Sequence, residues 1–67
     1  MDVVVYGAEA PPGFRVVKSV EELRRHLRWA FIIVVGDRGL AEELGVAYFS
    51  EEEWGDFLRW YAEVYNL

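Results

Sequence analysis

The sequence predicts an α/β fold: a small two- or three-layer sandwich on a four-stranded, mostly parallel sheet with three helices, in the order β-β-α-β-α-β-α. Three observations lead there. Short apolar runs alternate with amphipathic stretches, as strands joined through helices do. The runs Val3–Tyr6 and Phe31–Val35 are apolar at consecutive positions, the pattern of strands covered on both faces. The only two serines, Ser19 and Ser50, each stand directly before an amphipathic stretch with a glutamate three residues on, where N-caps belong. The 67 residues form one domain, 1–67, and a chain this short buries only roughly 60% of its unfolded surface, so every element must add to the core.

The first strand is read at Val3–Tyr6, between Asp2 and Gly7. Residues Gly7 to Gly13 then break regular structure, because Pro11 and Pro12 cannot donate to a ladder and the glycines tolerate positive φ. Phe14–Val17 reads as a second, shorter strand. The connection leaves two arrangements open: an antiparallel hairpin, or a parallel pair joined by a loop with no helix in it. Ser19 and Glu22 form a capping box, and the helix they open carries Val20, Leu23, Leu27 and Ala30 on one face, with Arg24, Arg25 and Arg28 largely elsewhere. Phe31–Val35 is the expected central strand, with Gly36–Gly39 as the turn beyond it. Leu40, Ala41 and Leu44 support a short helix that Gly45 caps in the left-handed conformation. Val46–Phe49 is the fourth strand, and Ser50 with Glu53 starts the last helix.

Twelve acidic and seven basic side chains give a net charge of −5, which opposes phosphate-driven nucleic-acid binding. The charge is uneven. Residues 1–39 hold six cations and five anions, for +1, whereas residues 40–67 hold Arg59 against seven anions, for −6. That polarity suits a protein partner with a basic patch. No window approaches the ~20 apolar residues of a membrane span, and the first residues do not read as a secretory signal, so the expected location is cytoplasmic. Without cysteine, and with His26 as the one histidine, neither a disulfide nor a Cys- or His-rich metal site is expected, and no cofactor is implied. Threonine, glutamine and cysteine are absent amid abundant charge, which points to a heat-adapted, archaeal source.

Catalytic chemistry finds few candidates. Both serines are engaged in capping, so no activated nucleophile is at hand. His26 flanks the Leu23/Leu27 helix face as a boundary residue. The carboxylate pairs lie in helix first turns or on helix surfaces, where they complement the dipole or solvate a face. The loop Gly36, Asp37, Arg38, Gly39 lacks the third glycine of a dinucleotide fingerprint and the lysine of a phosphate loop. Its position after a parallel strand still makes it a candidate anion site, where Gly7, Glu9, Asp37 and Arg38 would converge.

The last helix is the anomaly. Trp54, Phe57, Leu58, Tyr61 and Tyr65 make a core-facing stripe, and Trp60 and Val64 lie about 100° round from it, so the helix offers more apolar surface than one small sheet covers. Either Trp60 lies flat over the sheet margin, or Trp60, Val64 and Tyr65 meet another chain, with Glu52, Asp56 and Glu63 as a polar rim towards basic side chains. An acidic polar face argues against a membrane-surface helix.

Taken together, the apolar strand ending in Gly7, the Gly13-Phe14-Arg15 motif, the strand Val16–Lys18, the helix Val20–Leu27, the Ile-rich strand Phe31–Val35 and the short helix Leu40–Leu44 resemble the F subunit of the archaeal and vacuolar-type rotary ATPases, over the first two-thirds of the chain. The resemblance implies a parallel first strand pair and a small non-catalytic central-stalk protein. In that family the C-terminal region engages the coiled-coil stalk and influences ATP hydrolysis; the matching positions here are Trp54 to Tyr65. The expected function is therefore a non-enzymatic interaction subunit docking through its last helix. A homodimer formed by the same helix and an anion or nucleotide sensor at Gly36–Gly39 are the alternatives.

Overall fold

In the computed structural model, which describes residues 2–66, seven elements follow the expected order. They are β1 (Asp2–Tyr6), β2 (Arg15–Val17), α1 (Val20–Arg25), β3 (Ala30–Val35), α2 (Arg38–Leu44), β4 (Ala47–Phe49) and α3 (Glu51–Tyr65). The four strands form one sheet in the order β2-β1-β3-β4, and every pair is parallel. Of the two arrangements left open for the first connection, the parallel one is therefore realised, with Val4, Val5 and Tyr6 opposite Arg15, Val16 and Val17.

Connection handedness decides the layers. The chain steps one way from β1 to β2 and then reverses, crossing β1 to reach β3 and continuing to β4. Right-handed connections put the segments on opposite faces when the direction of travel reverses. Accordingly α1 and α2 cover one face, where Leu23 and Ala41 pack with Val4, Val17, Ile32 and Val34. The β1–β2 connection and α3 cover the other, where Ala8, Ala10, Phe14, Phe57 and Leu58 pack around Val5, Ile33, Val35 and Trp54. The result is a three-layer sandwich in which a helix-free loop fills part of one outer layer. Alternation along β1 and β3 feeds both cores, which is why these strands are apolar at consecutive positions.

Several boundaries differ from the sequence expectation, β1 and β3 each by one added residue at the start. First, α1 stops at Arg25 rather than carrying Leu27 and Ala30 on a helical face. From His26 onward the amides bond three residues back, Leu27 to Arg24 and Trp29 to His26, and this tightening returns the chain to start β3 at Ala30. Second, Arg38 and Gly39 belong to α2 rather than to a turn, because the Asp37 carboxylate accepts the Leu40 amide at 3.0 Å and caps the helix. Third, Phe14 and Val46 lie outside the strands. The Val46 amide donates to the Ala41 carbonyl while Gly45 sits at φ 68°, so Val46 completes the helix end before β4 begins.

Both serines cap as expected. Ser50 and Glu53 form a reciprocal box. At α1 the Ser19 hydroxyl accepts the Glu22 amide, but the Glu22 carboxylate reaches one residue further back, accepting the Lys18 amide at 3.2 Å.

Candidate functional site

The carboxyl ends of β1 and β3 carry the turns at Gly7 and Gly36, with the topological switch between these two strands. Gly7 and Gly36 leave these strands at φ 98° and 83°. Yet a Cβ on Gly7 would run into the Val35 carbonyl oxygen, so this glycine serves close backbone packing and not ligand approach. The Gly36 surface is flanked by the Glu51 side chain. Asp37 occupies the first turn of α2 with its own carboxylate, and the Arg38 guanidinium lies 5.0 Å over the Tyr48 ring. A shallow hollow nearby is lined by Gly7, Glu9 and Lys18. Gly36, Asp37, Arg38 and Gly39 thus stand close in space, but two carboxylates already face the position an anion would take.

The opposite feature is α3. Its 15 residues span about 22 Å, whereas the three residues of β4 that precede it span about 10 Å. The helix leaves the carboxyl end of the sheet and runs back over it towards the strands' amino ends. Trp54, in the first turns, is buried, and its indole N–H donates to the Glu9 carbonyl at 2.8 Å, pinning the β1–β2 connection. Phe57 stacks on Trp54 at 5.0 Å and Tyr61 meets Phe14 edge-on at 5.7 Å, so the middle of the helix is held by aromatic pairs reaching the amino end of β2.

Beyond that the support ends. Trp60 touches Phe57, at 5.9 Å between ring centres, but leaves 53% of its surface in solvent. Val64 is equally exposed. Tyr65, placed by its spacing in the core-facing stripe, is 58% exposed and pairs with the Tyr61 ring at 4.4 Å. The sheet has run out beneath it. Glu52, Asp56 and Glu63 are all exposed, with Asp56 paired to Arg59 on the next turn and Glu63 in no ion pair among the described residues.

A second exposed group has no counterpart in the sequence expectation. Trp29, 70% exposed, and Phe31, 49% exposed, flank the start of β3, with Leu27 beside them. Trp29 follows no amphipathic period, since it sits in the tight turns between α1 and β3; its one legible signal is an indole directly before a strand. No cluster of three or more potential metal ligands occurs among the described residues, and no described helix is long and apolar enough to cross a membrane. Comparison of the chain with protein-family models, curated proteins and solved structures finds no match.

Proposed function

We propose that this chain is a non-catalytic protein–protein interaction module that docks through the C-terminal half of α3. The observation that carries the reading is Trp60: a large indole on a helix otherwise packed by aromatics, with more than half its surface exposed. Indoles concentrate binding energy when a partner covers them, and Trp60, Val64 and Tyr65 supply the apolar centre while Glu52, Asp56 and Glu63 supply an acidic rim. A partner for this surface presents apolar and basic side chains.

The narrower form of the proposal is a central-stalk component of a rotary ATPase, similar to the F subunit of the archaeal and vacuolar-type enzymes, in which the same helix meets the stalk coiled coil. What supports it is the resemblance over the first two-thirds of the chain, together with the exposed helix end where that family engages its stalk. Affinity capture with the native chain and with Trp60→Ala, followed by mass identification, tests both levels. Recovery of rotary ATPase stalk proteins by the native chain alone is the expected result. Other proteins recovered in a Trp60-dependent manner remove the stalk reading, and identical recovery by both baits removes the docking surface itself. With a purified partner, Trp60→Ala costs about 2 kcal/mol of affinity.

A further inference from the structure

The sheet ends differently on its two sides. At one edge Arg15 and Lys18, both exposed, bracket β2, and charges of this kind guard an edge against further pairing. At the other, β4 consists of Ala47, Tyr48 and Phe49, half-buried residues with neither charge nor proline among them. The Gly36 amide donates to the Phe49 carbonyl at 2.9 Å, so Phe49 turns its main-chain groups towards β3. Successive residues of a strand alternate in this respect. Ala47 therefore faces β3 as well, while Tyr48 points its N–H and C=O outward, where no described residue bonds to them.

The exposed flank of α3 looks over this same edge. Glu51 lies beside Gly36 at the end of β3, and the Trp54 indole reaches the β1–β2 connection, so one flank of the helix faces across the sheet. Trp60 follows Glu51 by nine residues, half a turn round at about 100° per residue, and Val64 lies on the same side as Trp60. Both face out past β4. Below them the amino end of β4 carries the small Ala47 on the α3 face, and Phe31, which turns to that face opposite Val3, has no β4 partner. A fifth strand beside β4 would set its α3-facing side chains against Ala47 and Trp60. The flank is also acidic: Glu52, Asp56 and Glu63 all fall within about 80° of Trp60 on the helix, and Glu63 has no ion pair among the described residues.

Resting on the broader form of the docking reading above, we infer that the partner contributes an extended segment with apolar and basic side chains, which adds to β4 as a fifth strand. The outward main-chain groups of Tyr48 hold its backbone, an apolar side chain fills the space between Ala47 and Trp60, and cations to either side reach Glu52, Asp56 and Glu63. Backbone pairing supplies affinity in such a contact and alternate side chains supply selectivity. Charge excludes a second copy here, because the two-fold that pairs β4 with β4 sets the two acidic α3 flanks against each other. A coiled-coil partner would cover Trp60 and leave the edge open.

Nuclear magnetic resonance of the full chain tests this with a synthetic peptide of about eight residues in which Arg, Leu and Arg at every second position alternate with Val. The expected result is saturable binding that weakens with added salt, slowed exchange of the Tyr48 amide in the complex, and about tenfold weaker binding by Trp60→Ala. Two further peptides, methylated at one or the other set of alternate backbone nitrogens, keep every side chain; the one whose methyl groups face β4 should bind about tenfold more weakly or worse. Absence of binding up to about 1 mM peptide overturns the inference, as does equal binding of all three peptides with the Tyr48 amide still exchanging freely. Protection of that amide by self-association of the chain alone overturns the choice of partner. If any of these results comes with Trp60-dependent capture of a protein, the docking module stands and only the added strand falls; if capture is lost too, both fall.

Discussion

Gly7 shows how one residue constrains this fold. It leaves β1 at φ 98° with the Val35 carbonyl oxygen where a side chain would begin. Gly7→Ala therefore meets both backbone strain and a clash with main chain, and should lower the stability measured by urea unfolding by about 2 kcal/mol or more. The three tryptophans divide by role. Trp54 combines burial with an indole N–H donated to the Glu9 carbonyl, so Trp54→Phe should cost about 1–2 kcal/mol through the lost hydrogen bond and lost packing. Trp60→Phe should change stability by less than about 0.5 kcal/mol in the same unfolding experiment, since solvent already covers half of that side chain. Pattern alone separates these roles in part: Trp54 and Trp60 both sit on one amphipathic helix, and what distinguishes them is direction: Trp60 lies off the stripe of Trp54, Phe57 and Tyr61, whose next member, Tyr61, is still half-buried.

Among the elements, α3 depends most on its start. The Ser50 hydroxyl accepts the Glu53 amide at 3.0 Å and the Glu53 carboxylate accepts the Ser50 amide at 2.9 Å. Ser50→Ala should cost about 1 kcal/mol, read as a lower unfolding midpoint. The Ser50 backbone amide, then its hydroxyl, hold the Glu53 carboxyl below its ordinary value, with Arg38 adding a smaller pull in the same direction. A carboxyl whose folded value is depressed contributes stability above its unfolded value and loses it as pH falls through the folded one. The melting-temperature gap between the native chain and Glu53→Gln should therefore be open at neutral pH and close in the acid range below about pH 4. The capping signals of α1 and α3 were legible because Ser is rare here and stands only at N-caps. The Asp37 cap was not, since its position between two glycines reads equally well as a turn.

For the whole molecule, the arrangement has a spectroscopic consequence. Trp54 is shielded inside one core, whereas Trp29 and Trp60 lie exposed at the amino pole. Acrylamide should quench Trp29 and Trp60 and leave Trp54 shielded, so that about one third of the native emission resists the quencher; emission quenched uniformly across all three indoles contradicts this division.

The order of elements, the capped helix starts, the strands buried on both faces and the apolar excess of the last helix were determined by the sequence, because each is set by local period, propensity or cap chemistry within one stretch of chain. The direction of β2, the end of α1 at Arg25 and the exposure of Tyr65 and Trp29 were decided by the tertiary structure. Strand pairing and crossover handedness join residues far apart along the chain, and no local period records where a four-stranded sheet stops covering a 15-residue helix.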